Sequence, residues 1–239
     1  MTLLTIIQDA TQDLGLAEPT SVVGNNDKKI VQLLQLANRE GRNLASRYNW
    51  SSLIKQVTFT QVAAQLQGVI QGGIISASDF ESIVNDSMWN RTTQLPVPGP
   101  LGSQDWQALQ AFPLTGPYRQ FRIQEGKLFF DPAGANASDT IAFEYNSKSF
   151  CASAAGAGKS KWSVDTDVGI LDEDLMTLGI IWRWLQRKGL DYAEDFNAYE
   201  TRVANAMARD GGKATLQLNS NQHDRIPGIF VPQGSWSPN

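Results

Sequence analysis

Apolar residues recur every three or four positions at the two ends of the chain and every second position in its middle, so helices are predicted to flank a β region. Near the N-terminus Leu3, Leu4, Ile7 and Leu14 suit a short helix. After the breaker Gly24-Asn25-Asn26, a long helix follows with Ile30, Leu33, Leu34, Ala37, Gly41, Leu44, Ala45 and Tyr48 on one stripe. Glycine inside that stripe costs about 1 kcal/mol relative to Ala, which predicts a close approach of another backbone at Gly41. From Ile54 the period changes to two. Val57-Thr58-Phe59-Thr60 reads as a strand, Phe121 to Phe130 as a hairpin turning at Glu125-Gly126, and Thr140 to Tyr145 as a strand with Ile141, Phe143 and Tyr145 on one side. Ser103 to Leu109 reads as a short capped helix after the Pro-rich break Leu95 to Pro100.

Helix returns beyond a small, flexible linker that begins at Cys151. Asp172-Glu173-Asp174 marks the start, where the helix dipole favours carboxylates. Leu175 to Leu185 is apolar on more than one face, interrupted by Gly179 and Arg183, and needs cover from its own domain or a neighbouring subunit. Arg187-Lys188-Gly189 is a stop signal. A last helix carries Tyr192, Phe196, Tyr199, Val203 and Ala206 or Met207 on one stripe and ends at Gly211-Gly212, giving an α-hairpin. Together these predict an α+β fold: a helical bundle body made of the N-terminal helices and the C-terminal α-hairpin, an inserted small antiparallel β unit and an extended C-terminal tail. The predicted boundaries are 1–52 and 53–150 for N-terminal helices and β unit, 151–170 for the linker, 171–212 for the α-hairpin and 213–239 for the tail. The tail has scattered large apolar residues, Ile226, Ile229, Phe230 and Trp236, too few to form a core of their own and therefore in need of another surface.

Composition narrows the function classes. With 20 Lys plus Arg against 24 Asp plus Glu, the net charge is −4, so the counterion-releasing surface of a tight duplex binder is lacking. One Cys and one His supply no zinc tetrad, haem pair or disulfide. No basic residue precedes Lys28, so the charged region of a secretory signal is missing and a cytoplasmic protein is expected. No apolar run reaches the roughly 20 residues that span a bilayer.

Four groups of residues carry chemical motifs. Gly156-Ala157-Gly158-Lys159-Ser160 ends like a phosphate-binding loop, but Ser153 stands where that loop needs glycine and no helix pattern follows the lysine. Asp165, Asp167 and Gly169 hint at a calcium loop, yet the glycine is fifth rather than sixth and Met176 takes the place of the bidentate Glu. Cys151 and His223 are the only nucleophile and base of their kind. Glu125 and Glu144 are an acid pair of unknown separation near the β elements.

In combination these pieces resemble the head-to-tail adaptor (connector) proteins of tailed bacteriophages, the group that includes tail tubular protein A of short-tailed phages. The carrying segments are Thr20 to Gly24, Gln35 to Arg42, Tyr48-Asn49-Trp50, Ile83 to Arg91, Pro98 to Trp106, Leu178 to Trp184 and Lys188 to Ala193, spread over most of residues 1 to 218. The resemblance implies a structural virion protein rather than an enzyme, with no cofactor and no metal, at the head–tail junction and in the host cytoplasm during assembly. It implies a homo-oligomeric ring, usually of twelve copies, docked below the portal, joining the DNA-filled head to a tail or nozzle protein and giving DNA its exit channel during ejection. Helices would form the ring body, the β unit would face the tail, and Ile226, Ile229, Phe230 and Trp236 would contact the portal. Twelve copies at −4 each carry roughly −48, which disfavours phosphate capture and lets DNA slide. The alternative is a tail-associated cell-wall (peptidoglycan) glycosidase using Glu125 and Glu144.

Overall fold

Helices α1 (Leu3–Asp13) and α2 (Lys28–Arg47) form where the three-four spacing places them. The computed structural model describes residues 1–112, 118–133 and 138–211. Thr2 caps α1 through a reciprocal bond pair with Thr5, and Asp27 caps α2 by accepting from the Lys29 amide at 2.9 Å. Toward the other end lie α4 (Glu173–Lys188) and α5 (Ala193–Arg209), preceded by α3 (Ser103–Ala111) in the β-rich middle. Asp172 caps α4 through the Asp174 amide, and Gly189 closes it at φ 70°, a left-handed position that favours glycine. The helix around Ser103 is capped differently from expectation: Gly102 is its N-cap, without a side-chain bond.

The middle of the chain overturns the predicted architecture. In place of a helical bundle body with a small β insert, the fold is a mixed one, with five helices and three antiparallel sheets among the described residues and a sheet-rich centre. The largest sheet is built around β8 (Thr140–Ser147), flanked on one side by β1 (Ile54–Thr60) and on the other by β3 (Phe80–Ile83) and β4 (Trp89–Asn90), with β5 (Leu95–Pro96) beyond β4. A second sheet orders β2 (Leu66–Val69), β7 (Lys127–Asp131) and β6 (Gln120–Gln124). Its β6–β7 hairpin turns at Glu125 (φ 53°) and Gly126 (φ 70°), the two positive angles a two-residue loop requires. A third sheet joins β9 (Cys151–Ala152), β10 (Gly158–Lys159) and β11 (Val168–Gly169).

The third sheet lies in the stretch expected to be a linker. Cys151 and Trp162 are buried there and, with Phe150 just before them, belong to the same apolar cluster as the helices, so these residues complete the helical core. The short strands escaped the sequence reading because two to four residues are too few for alternation to register. They form because a neighbour offers a ladder: β8 for β3 and β4, β4 for β5, β7 for β2 and β9 for β10 and β11.

Two apolar clusters result. One gathers α1, α2, α4 and α5 with Trp50, Leu53, Phe150 and Trp162. The other lies in the β region, with Ile141, Phe143 and Tyr145 from one side of β8 packed among Phe121, Leu128 and Phe130. The helix α4 is covered by α1, α2 and α5 of its own chain, so its apolar faces require no neighbouring subunit. No helix among the described residues is long and apolar enough to cross a membrane.

Candidate functional site

Titratable side chains gather in four buried or half-buried clusters, and each ties together segments distant in sequence or in the same loop. In the helical core the fully buried Glu40 of α2 accepts from the Arg183 guanidinium of α4 and the Tyr199 hydroxyl of α5. Burial, then the adjacent Glu40 charge, pushes the Tyr199 phenol well above its ordinary range. Arg183 also lies over the Trp182 ring, 4.4 Å from its centroid. Sequence reading passed over this trio, although a signal existed. Glu40 falls three after Ala37 and four before Leu44, on the apolar stripe, and Arg183 interrupts the apolar run of α4.

In the β region, Asp139 accepts from Asn90 at 2.9 Å and pairs with Arg119 at 3.2 Å. The third cluster lies where helical and β regions meet. Asp79 accepts from Lys55 Nζ at 2.6 Å, Ser147 Oγ at 2.8 Å and the Tyr145 hydroxyl at 3.2 Å. Burial raises this carboxyl, but the hydrogen bonds from Lys55 and Ser147 and the Lys55 charge outweigh burial and hold it below the usual carboxylate range. Tyr145 is pushed up to about 12 by burial and by the Asp79 charge. Nearby, Asp167 accepts from Lys159 Nζ at 2.6 Å and from the Ser163 and Val164 amides at 2.9 and 3.0 Å. It too is held low, burial being outweighed by these donors.

These two depressed carboxyls predict an acid limit. Their unfolded counterparts bind protons more tightly, so their contribution is complete above the unfolded value near about 4 and is lost as pH falls through the folded values. The denaturant midpoint is expected to hold steady down to about pH 5 and to fall below about pH 4. Asp79→Asn with Asp167→Asn should flatten that decline, and an equally steep decline in the double variant would remove these residues as its source.

The residues of the phosphate-loop and calcium-loop motifs have structural partners. Lys159 lies on β10 in a hairpin, with its ammonium on Asp167, rather than at a helix start. Asp165 accepts from the Val22 and Val23 amides at 3.1 and 2.7 Å, so its oxygens staple the α1–α2 loop. Among the described residues no group of three or more His, Cys, Asp or Glu is placed to hold a metal ion. The Cys151 thiol is buried and pushed up to about 12, chiefly by burial and then by the Asp167 charge. Glu125 sits exposed at the β6–β7 turn with Lys127 at 3.7 Å, whereas Glu144 lies on β8, so the two carboxylates belong to different sheets. His223 and the four residues assigned to the portal, Ile226, Ile229, Phe230 and Trp236, lie outside the described residues.

Beside the Asp79 cluster the surface is concave. One cavity of about 540 Å³ is lined by Arg42, Ser46, Glu81, Lys148, Ser160 and Lys161, and a neighbouring one of about 400 Å³ shares Ser160 and Lys161. Arg42 comes from α2, Lys148 from the turn after β8 and Lys161 from the loop after β10. No family model and no curated protein matches this chain. The cavity's cations, hydroxyls and lone carboxylate suit the capture of an anionic surface, and the buried carboxylates around it are already committed to lysines and amides.

Proposed function

We propose that the protein is a head-to-tail adaptor: a structural component that forms a ring below a phage portal and gives DNA its exit channel, without chemistry of its own. The supporting observation is where the resembling segments lie in the fold. Gln35 to Arg42 and Leu178 to Trp184 are well over a hundred residues apart in sequence, yet they pack against each other through Glu40, Gly179 and Arg183. The resemblance thus falls on one packed unit of the helical core. Ile83 to Arg91 similarly falls on β3 and β4, laddered onto β8. In this reading the tail residues Ile226, Ile229, Phe230 and Trp236 anchor the ring on the portal, as extended segments with isolated apolar side chains do in a partner's groove or sheet edge.

Electron microscopy of a purified portal mixed with this protein tests the reading. A ring on the portal is the expected image, and it should be lost when residues 219–239 are deleted from a chain that stays soluble. A bare portal with the full-length chain would refute the adaptor role. Docking unchanged by the deletion would refute the tail anchor alone.

A further inference from the structure

The cationic cleft invites a question about its occupant. Among the described residues Arg42, Lys148 and Lys161 enter no ion pair, unlike Arg47, Lys55, Arg119, Lys159, Arg183 and Arg202. Their stems and Ala45 add apolar surface to the same lining, as long basic side chains do when their heads reach water. Glu81 is the one carboxylate in that lining.

A complementary surface exists elsewhere on the chain. The corner between α4 and α5 carries Asp191, Glu194 and Asp195, which enter no ion pair among the described residues, and it exposes Leu190 (55%) and Tyr192 (37%) between them. Arg187 and Lys188 close α4 just before it, with the Lys188 ammonium turned onto Trp184 and Gln32, so the acidic groups lie on the α5 side of the corner and the apolar side chains at its tip. The corner stands far from the cleft: Lys188 Nζ donates to Gln32 Oε1 at 3.2 Å, which ties this end of α4 to the first half of α2. Arg42, Ala45 and Ser46 lie toward the other end of that helix, roughly 15 to 21 Å along its axis from Gln32 at about 1.5 Å per residue. One chain therefore cannot fill its own cleft with its own corner.

We infer that the cleft receives the α4–α5 corner of a second copy of this chain. Two different patches that match each other make a head-to-tail contact, which repeats from copy to copy and closes into a ring when the rotation permits. Asp191, Glu194 and Asp195 meet Arg42, Lys148 and Lys161, while Leu190 and Tyr192 lie against Ala45 and the lysine stems. The inference rests on the adaptor reading only for the ring's closure and not for the contact itself. It also gives the cleft's positive charge a role other than DNA binding, in keeping with the acidic balance of the whole chain.

The test places one cysteine on each patch, Ser46→Cys and Ala193→Cys, and bridges them with a short bis-maleimide; Ala193 is exposed at the corner and the native Cys151 is buried. The reaction is run on the free chain at high concentration and on the chain mixed with portal. The double variant is expected to give a ladder of dimers, trimers and higher species, and each single variant no ladder. Lys148→Glu with Lys161→Glu should weaken self-association or ring formation by at least about tenfold, because like charges then face each other. Adding Glu194→Lys and Asp195→Lys should restore it. No ladder in either setting overturns the contact. A ring imaged on the portal without a ladder overturns it while sparing the adaptor role, and a ladder without portal binding does the reverse. Loss of duplex-oligonucleotide binding in the lysine variants, with association unchanged, would assign the cleft to phosphates instead.

Discussion

Replacing Arg183 by Met is expected to destabilise the protein by about 3–5 kcal/mol, the cost of leaving one member of a buried ion pair uncompensated. Its partner Glu40 is fully buried, and Arg183 keeps only 11% of its side chain exposed. Without the guanidinium, Glu40 retains the Tyr199 hydroxyl alone. A hydrogen bond of that kind is worth about 1.5–3 kcal/mol to a charged group, less than the effective penalty of burying the ion. Urea unfolding of the purified variant measures the loss, and a change below about 1 kcal/mol would mean that water reaches Glu40. The triple variant Glu40→Leu, Arg183→Met, Tyr199→Phe separates charge from packing. With no polar group left to desolvate, it should recover most of the stability, so the cluster is coupled rather than additive.

A second large effect is expected at Gly41. A Cβ placed there would collide with the Phe150 ring, nearer to its carbons than van der Waals contact allows. Gly41→Ala gains about 1 kcal/mol of helix propensity, but moving a fully buried ring costs about 1–3 kcal/mol or more in a packed core. The net result should be destabilising, and Gly41→Val more so. Thermal unfolding of Gly41→Ala alone and with Phe150→Leu decides the cause. If the ring is the obstacle, the second substitution lessens the cost of the first. Equal costs in both backgrounds would point to the helix backbone instead. The expected neighbour at Gly41 was a backbone, and the observed one is a side chain from the stretch between β8 and β9. Gly179 shows the same device on α4, where a Cβ would collide with the Glu40 side chain.

The helices α1, α2, α4 and α5 were legible because each repeats its apolar stripe over at least three turns and ends in capping residues that act locally, such as Asp27, Asp172 and Gly189. The hairpin at Glu125-Gly126 was legible for the same reason, since the turn geometry is written in two adjacent residues. Strands β1 and β8 were legible too, from their alternation; the short strands were not. Strands β3, β4 and β5 hold two to four residues apiece; β3 and β4 depend on the ladder that β8 supplies from more than 50 positions away, and β5 depends on β4.

The cleft was equally hidden, since Arg42, Lys148 and Lys161 are ordinary surface cations in sequence and share a cavity only through the meeting of α2 with the loops around β9 and β10. The sequence by itself thus determined the periodic helices, their caps, the one tight turn and the overall charge, all of which arise from interactions within a few residues. Tertiary structure alone decided the weight of the β region, the partner of Gly41, the burial of Glu40 against Arg183 and the gathering of three cations. Those depend on contacts between segments whose separation along the chain leaves no local trace, because the free energy that fixes them comes from packing and desolvation after the chain has closed on itself.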